Sequence, residues 1–145
     1  YCAHPASMLA AKAYMNHLIE NEDEVYGTLS DLGQKMRHAM VSGFADEGIF
    51  ASCTGISSEL PCGSSLTMVH FPHGEGTEIS TPEGVNNPEI CDVALRKQVL
   101  GPALLLENVH LVHGHGSAAV THTDDDMGLL REACRNVARR VKSYL

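Results

Sequence analysis

Apolar residues recur at intervals of three and four in four stretches of the chain, and alternate or cluster in four shorter ones. The first spacing gathers side chains into one stripe along a helix, and the second suits a strand with at least one buried face. Taken in order, they predict α-α-β-β-α-β-β-α. The last helix is the best specified. Met127, Leu130, Cys134, Val137 and Val141 fall in one stripe, while Arg131, Arg135, Arg139 and Lys142 point elsewhere. Thr123 is a natural N-cap, and Asp126 three residues later completes a capping-box pattern. Asp124 and Asp125 add negative charge where the helix dipole favours it, and the basic residues crowd the other end. The three aspartates therefore read as a charged helix start rather than a metal cluster.

The first helix starts at Pro5, whose fixed φ suits a first turn, and runs through Ala6, Met8, Leu9, Ala10, Ala11 and Ala13 to about residues 20–21. Met8, Ala11, Met15 and Leu18 are its expected buried stripe. A second helix opens on the acids Glu22, Asp23 and Glu24 and carries Val25, Leu29, Leu32, Met36 and Met40 on one face, with Gly27 and Gly33 off that stripe. Gly43 and Gly48 are expected to end it. The third begins near Pro88 and Glu89 and passes through Ile90, Val93, Ala94 and Val99. It is kinked or interrupted at Gly101-Pro102 and resumes to Asn108, a residue that tolerates the left-handed C-cap conformation.

Strands are expected over residues 50–56, 65–71, 109–112 and 117–120. His70 and His73, at a strand end, are expected on the surface. Residues 72–88, rich in Gly, Pro and Asn and almost without apolar side chains, read as a surface loop. This order of elements describes an α+β domain, a small and largely antiparallel sheet covered by helices.

Composition narrows the function classes. The 145 residues suit one domain, 1–145, with a real core. A net charge of −8 argues against nucleic acid, whose phosphates require a basic face. No run reaches the roughly 18 apolar residues of a membrane span. The five cysteines (Cys2, Cys53, Cys62, Cys91 and Cys134) are odd in number and lack a Cys-x-x-Cys spacing, so the expectation is free thiols in a reducing cytoplasm, with Cys134 a small core residue. The opening Tyr1-Cys2-Ala3-His4-Pro5 reads as a turn entered from upstream polypeptide, and the expectation is the C-terminal fragment of a longer chain.

Two anchors carry a family resemblance. Cys2-Ala3-His4-Pro5-Ala6-Ser7-Met8 and the alanine-rich helix after it resemble the Ser-Gly-Asn-Pro turn and following helix of the class III aminotransferases, pyridoxal-phosphate enzymes that include the glutamate-1-semialdehyde aminomutases. His122-Thr123-Asp124-Asp125-Asp126-Met127 resembles the His-Thr-Glu-Glu-Asp-Ile run that opens the last helix of the aminomutase-like branch. Between them, the strand at 65–71 and the passage from a helix through Asn108 into Val109-His110-Leu111 also match, so the resemblance spans nearly the whole chain.

The resemblance implies the C-terminal small domain of a fold-type I enzyme, working as a homodimer and moving an amino group between an amino compound and a carbonyl compound. It implies that pyridoxal 5'-phosphate is held mainly by a large domain upstream, which carries the cofactor lysine, the acid on the pyridine nitrogen and most phosphate-binding residues. No catalytic residue is then expected in this chain, and the isolated segment is expected to be inactive. The four lysines (Lys12, Lys35, Lys97 and Lys142) lie at helical positions that read as solvated. What the segment would bring to the cofactor is its opening turn, Tyr1, Cys2, Ala3 and His4. There Cys2 replaces serine, Ala3 glycine and His4 asparagine, and the usual phosphate-reaching threonine falls at Tyr1 or before it. The loop between the last strands is short, residues 113–116, and the carboxylate-binding arginine of some branches has no evident counterpart.

Nine histidines are many for this length, and His110, His113, His115 and His122 lie close together in sequence. His113 and His115 project from the same side of an extended chain and could share a metal. A His-x-His-x-Asp-His hydrolase would place an acid where Ser117 stands, so lining of a substrate pocket by His113 and His115 is the reading taken, with His122 as a capping residue. Two other functions compete with the aminotransferase: a non-catalytic α+β binding or regulatory module, and a zinc hydrolase built on the histidine loop.

Overall fold

The computed structural model describes residues 4–56, 63–77, 79, 81–111 and 115–144. Its backbone is an α+β arrangement in which two long helices cover a three-stranded antiparallel sheet. Helix α2 (Glu22–Ala45) and helix α5 (Asp124–Val141) pack along each other, and their facing stripes form most of the core. α5 buries Met127, Leu130, Ala133, Cys134, Val137, Ala138 and Val141, as its spacing predicts. The box at its start is present in full. Thr123 Oγ1 accepts from the Asp126 amide, and the Asp126 carboxylate accepts from the Thr123 amide at 2.7 Å. That backbone bond holds the Asp126 carboxyl below the usual carboxylate range. Arg131 meets Asp46 at 3.0 Å and Arg139 meets Glu47 at 3.0 Å along the seam, exposed pairs that fix register more than they add stability.

α2 corrects the expectation for its glycines. It runs through Gly43 to Ala45 without a break, and Gly33 and Gly43 are buried within it. A Cβ at Gly43 would lie 2.5 Å from the Arg131 carbonyl oxygen and 2.7 Å from Cys134 Cβ, and one at Gly33 would strike the Ser64 carbonyl. These residues let backbones approach; they do not stop the helix.

The sheet runs β1 (Ser52–Cys53), β2 (Leu66–His70), β3 (His115–Ser117), with β2 in the middle and both pairings antiparallel. Ser52 pairs with His70, and Met68 with His115. The expected strand at 50–56 shrinks to two residues because the chain turns away at Gly55, where φ is +96°. The expected strand at 117–120 is displaced to His115–Ser117, since Ala119 to His122 is already a turn, closed by the Ala119 carbonyl and the His122 amide. Residues 109–111 are not a strand; Val109 and Leu111 are half-buried and pack on the core, and Val112 lies outside the described residues.

Both faces of β2 are covered. Thr67, Val69 and Phe71 are buried, with Phe71 edge-on to Phe44 of α2 at a centroid distance of 4.9 Å. On the opposite face Met68 and His70 lie under Ile79, Thr81, Pro82, Val85 and Asn86. Part of the expected surface loop is therefore a strap over the sheet, with a short helix α3 (Pro82–Val85) and a bridge between Pro72 and Cys91. His70, expected on the surface, is 4% exposed beneath it, while His73 is exposed as expected.

The third predicted helix starts later than Pro88, because the Pro72 bridge holds Cys91 and the Asp92 carboxylate caps the turn by accepting from the Leu95 amide at 2.8 Å. Helical backbone from Val93 widens into a π turn (Leu95–Val99) and tightens again in α4 (Leu100–Leu105). Pro102 lacks an N–H, and its ring crowds the carbonyl four residues back; widening the preceding turn lets the helix continue where a break was expected. At its end Asn108 has φ +61°, with Val109 N–H on the Leu104 carbonyl and Asn108 N–H on the Leu105 carbonyl, a Schellman closure.

Helix α1 (Pro5–Glu20) forms as predicted, but its stripe does not bury. Met8, Leu9, Tyr14, Met15 and Ile19 are exposed, from 56% at Met15 to 69% at Leu9, and no residue of the helix is buried. Asn21 ends α1 and α2 starts at once, and among the described residues α1 contributes none to the core. Among the described residues no helix is long and apolar enough to cross a membrane.

Candidate functional site

The chemistry concentrates on the strap side of β2. The π turn carries Arg96 inward, where it is 5% exposed. Nη2 donates to the Val85 carbonyl at 3.0 Å and to Asn86 Oδ1 at 2.8 Å, and Nη1 to the Met68 sulfur at 2.9 Å. Beside it opens a recess of about 450 Å³ lined by Met68, Asn86, Arg96, Lys97 and His115. The residues come from β2, the strap, the π turn and β3. All three partners of the guanidinium are neutral, and no described carboxylate forms an ion pair with it.

The field of Arg96 reaches its neighbours. His70 is held below its ordinary pKa, first by burial and then by the Arg96 charge, while its backbone environment at Met68 pulls the other way; its Nε2 is 2.6 Å from Ser52 Oγ. Burial pushes the Cys91 thiol up, with Arg96 opposing. Burial also pushes Cys53 up to about 11 and Cys134 up to about 12, so neither is an activated thiol; Cys134 is buried in the core and Cys53 half-buried at its edge.

The histidines clustered in the sequence divide between two hollows. His115 stands at the Arg96 recess, whereas His110 and His122 line a separate cavity of about 280 Å³ with Met36, Met40, Met127 and Leu130. His122 Nδ1 accepts from the Ala119 amide at 2.9 Å and closes the turn before α5. His113 lies outside the described residues, as do Tyr1, Cys2 and Ala3; His4 is exposed just ahead of α1 with no side-chain cap bond. Among the described residues, no three His, Cys, Asp or Glu side chains gather as a metal site.

The described residues do not fit a self-contained pyridoxal-phosphate site. The cofactor requires a lysine whose amine loses its proton readily. Lys35 is the opposite case, raised by Asp124 at 2.8 Å and Asp31 at 3.0 Å, and Lys12, Lys97 and Lys142 are exposed to water. Sequence reasoning missed Arg96, which sits between Ala94 and Lys97 in a stretch read as a regular helix. The available signal was Gly101-Pro102 just downstream, which forces a wider turn and rotates the residues before it. Comparison with protein-family models, curated proteins and solved structures finds no match for this chain.

Proposed function

We propose that this chain is the small domain of a class III pyridoxal-phosphate aminotransferase or aminomutase, acting in the cytoplasm as part of a homodimer on a small amino donor and acceptor. The observation that carries the reading is α1: sixteen residues, none buried, presenting Met8, Leu9, Tyr14, Met15 and Ile19 to the outside. Large apolar side chains left uncovered along one helix are the kind of surface that another body of protein covers. In the proposed enzyme that body is the large domain with its cofactor. The two sequence anchors and the antiparallel sheet covered by helices accord with a segment that buttresses a site held elsewhere.

When bound, the cofactor supplies the electron sink for amino-group chemistry. The residues of this chain would position the domain and exclude water.

The test is made on the full-length protein carrying this chain. Adding pyridoxal phosphate is expected to give an absorbance band near the visible edge that borohydride removes, and amino transfer to a 2-oxo acid. Residues 1–145 alone are expected to show neither. A full-length protein without the band and without transfer to any of a panel of oxo acids overturns the reading and leaves the non-catalytic module; turnover by the isolated segment overturns both.

A further inference from the structure

We propose that the recess beside β2 binds a small organic oxyanion, a carboxylate or phosphate group, with Arg96 as its buried anchor and Lys97 and His115 at its rim. A guanidinium removed from water is costly unless a counter-charge accompanies it. The chain distributes its carboxylates otherwise. Arg131, Arg135, Arg139 and Arg140, which are exposed or nearly so, each have an acidic partner. Arg96, 5% exposed, has a carbonyl, an amide and a thioether, the last a weak acceptor.

The recess next to it completes the picture. Its lining holds two further basic side chains, Lys97 and His115, one amide, Asn86, and one apolar wall, Met68, and no described carboxylate. About 450 Å³ is within the range of small-ligand pockets and suits a metabolite of a few carbon atoms rather than a polymer. A guanidinium fork with an ammonium beside it is the arrangement that recognises planar carboxylate or tetrahedral phosphate oxygens. The π turn that aims Arg96 into the strap is a local irregularity of the kind found at binding sites. The site is built wholly from this chain and does not depend on the aminotransferase reading.

Calorimetry and thermal melting at matched ionic strength, with inorganic phosphate, succinate and neutral succinamide as probes, test it. Saturable binding of phosphate or succinate is expected, and which of the two saturates identifies the group; succinamide should not bind. At about a hundred times Kd the melting temperature should rise by roughly 5–10 °C. Arg96→Gln should abolish binding. Because that residue is buried and its loss could prevent folding, Lys97→Gln at the exposed rim provides the second arm: unchanged circular dichroism and binding weakened roughly three- to tenfold, the loss of one charge-assisted contact. No saturable binding of either anion, equal binding of succinamide, or undiminished binding by Lys97→Gln overturns the proposal.

Discussion

Two identical substitutions in α2 should change stability in opposite directions. An alanine in a helix interior is favoured over glycine by roughly 0.5–1 kcal/mol. At Gly27 nothing lies within 4 Å of the added methyl, so Gly27→Ala should realise that gain and raise the melting temperature by about 2–4 °C. At Gly43 the same methyl would sit 2.5 Å from the Arg131 carbonyl oxygen, 2.7 Å from Cys134 Cβ and 3.2 Å from the Arg135 amide nitrogen. Carbon atoms rest about 3.5–4.0 Å apart, so α2 and α5 would have to separate by on the order of 1 Å. Two of these three atoms are backbone, and rotamer changes cannot move them. Overpacking of this sort costs about 1–3 kcal/mol, and the separation weakens dispersion along the whole seam. Subtracting the propensity gain leaves a loss of up to about 2.5 kcal/mol, a fall of up to roughly 10 °C. Urea titration followed by circular dichroism, with a thermal scan, gives both values. A Gly43→Ala protein as stable as Gly27→Ala would refute the close crossing.

Further expectations concern caps, pH and thiols. Thr123→Ala removes the α5 cap and should cost about 1 kcal/mol in urea denaturation, with an unchanged m-value; no loss would contradict the capping geometry. His70 has its pKa lowered below 6.5 in the fold, so the unfolded chain takes up the proton first as pH falls. Its contribution is complete above about pH 6.5 and is lost below it; His70→Gln should flatten the stability profile between pH 7 and 5, and an unaltered slope would count against burial. With Cys53 at about 11 and Cys134 at about 12, a thiol reagent at pH 8 should modify these two only as the protein unfolds, which mass spectrometry of the labelled peptides will show.

The sequence was most legible where several local signals agreed. Thr123, Asp126 and the stripe from Met127 to Val141 predicted α5 from cap to buried face, and Asn108 was correctly read as a left-handed helix end. It was least legible where a residue answers to tertiary structure. Gly43 looks like a breaker in one dimension and is a contact point in three. Pro102 looks like an interruption, but a π turn absorbs it. Met8 and Met15 share a stripe as expected, yet periodicity says which residues share a face and not whether anything covers that face. The candidate site was hidden for the same reason. Arg96, Asn86, Met68 and His115 are far apart along the chain, and only the strap over β2 brings them together.

The sheet also has a built-in protection against self-association. Its most β-prone segment, Thr67 through Phe71, is the central strand, flanked on both sides. Among the described residues the outer strands are only two and three residues long, and one turns off at Gly55. An incoming strand from another molecule would find too few unpaired amides and carbonyls in a row to template a fibril. Gly55 is fixed in that role, since a side chain there would meet the Leu66 carbonyl of the central strand at 2.6 Å and strain a φ of +96°.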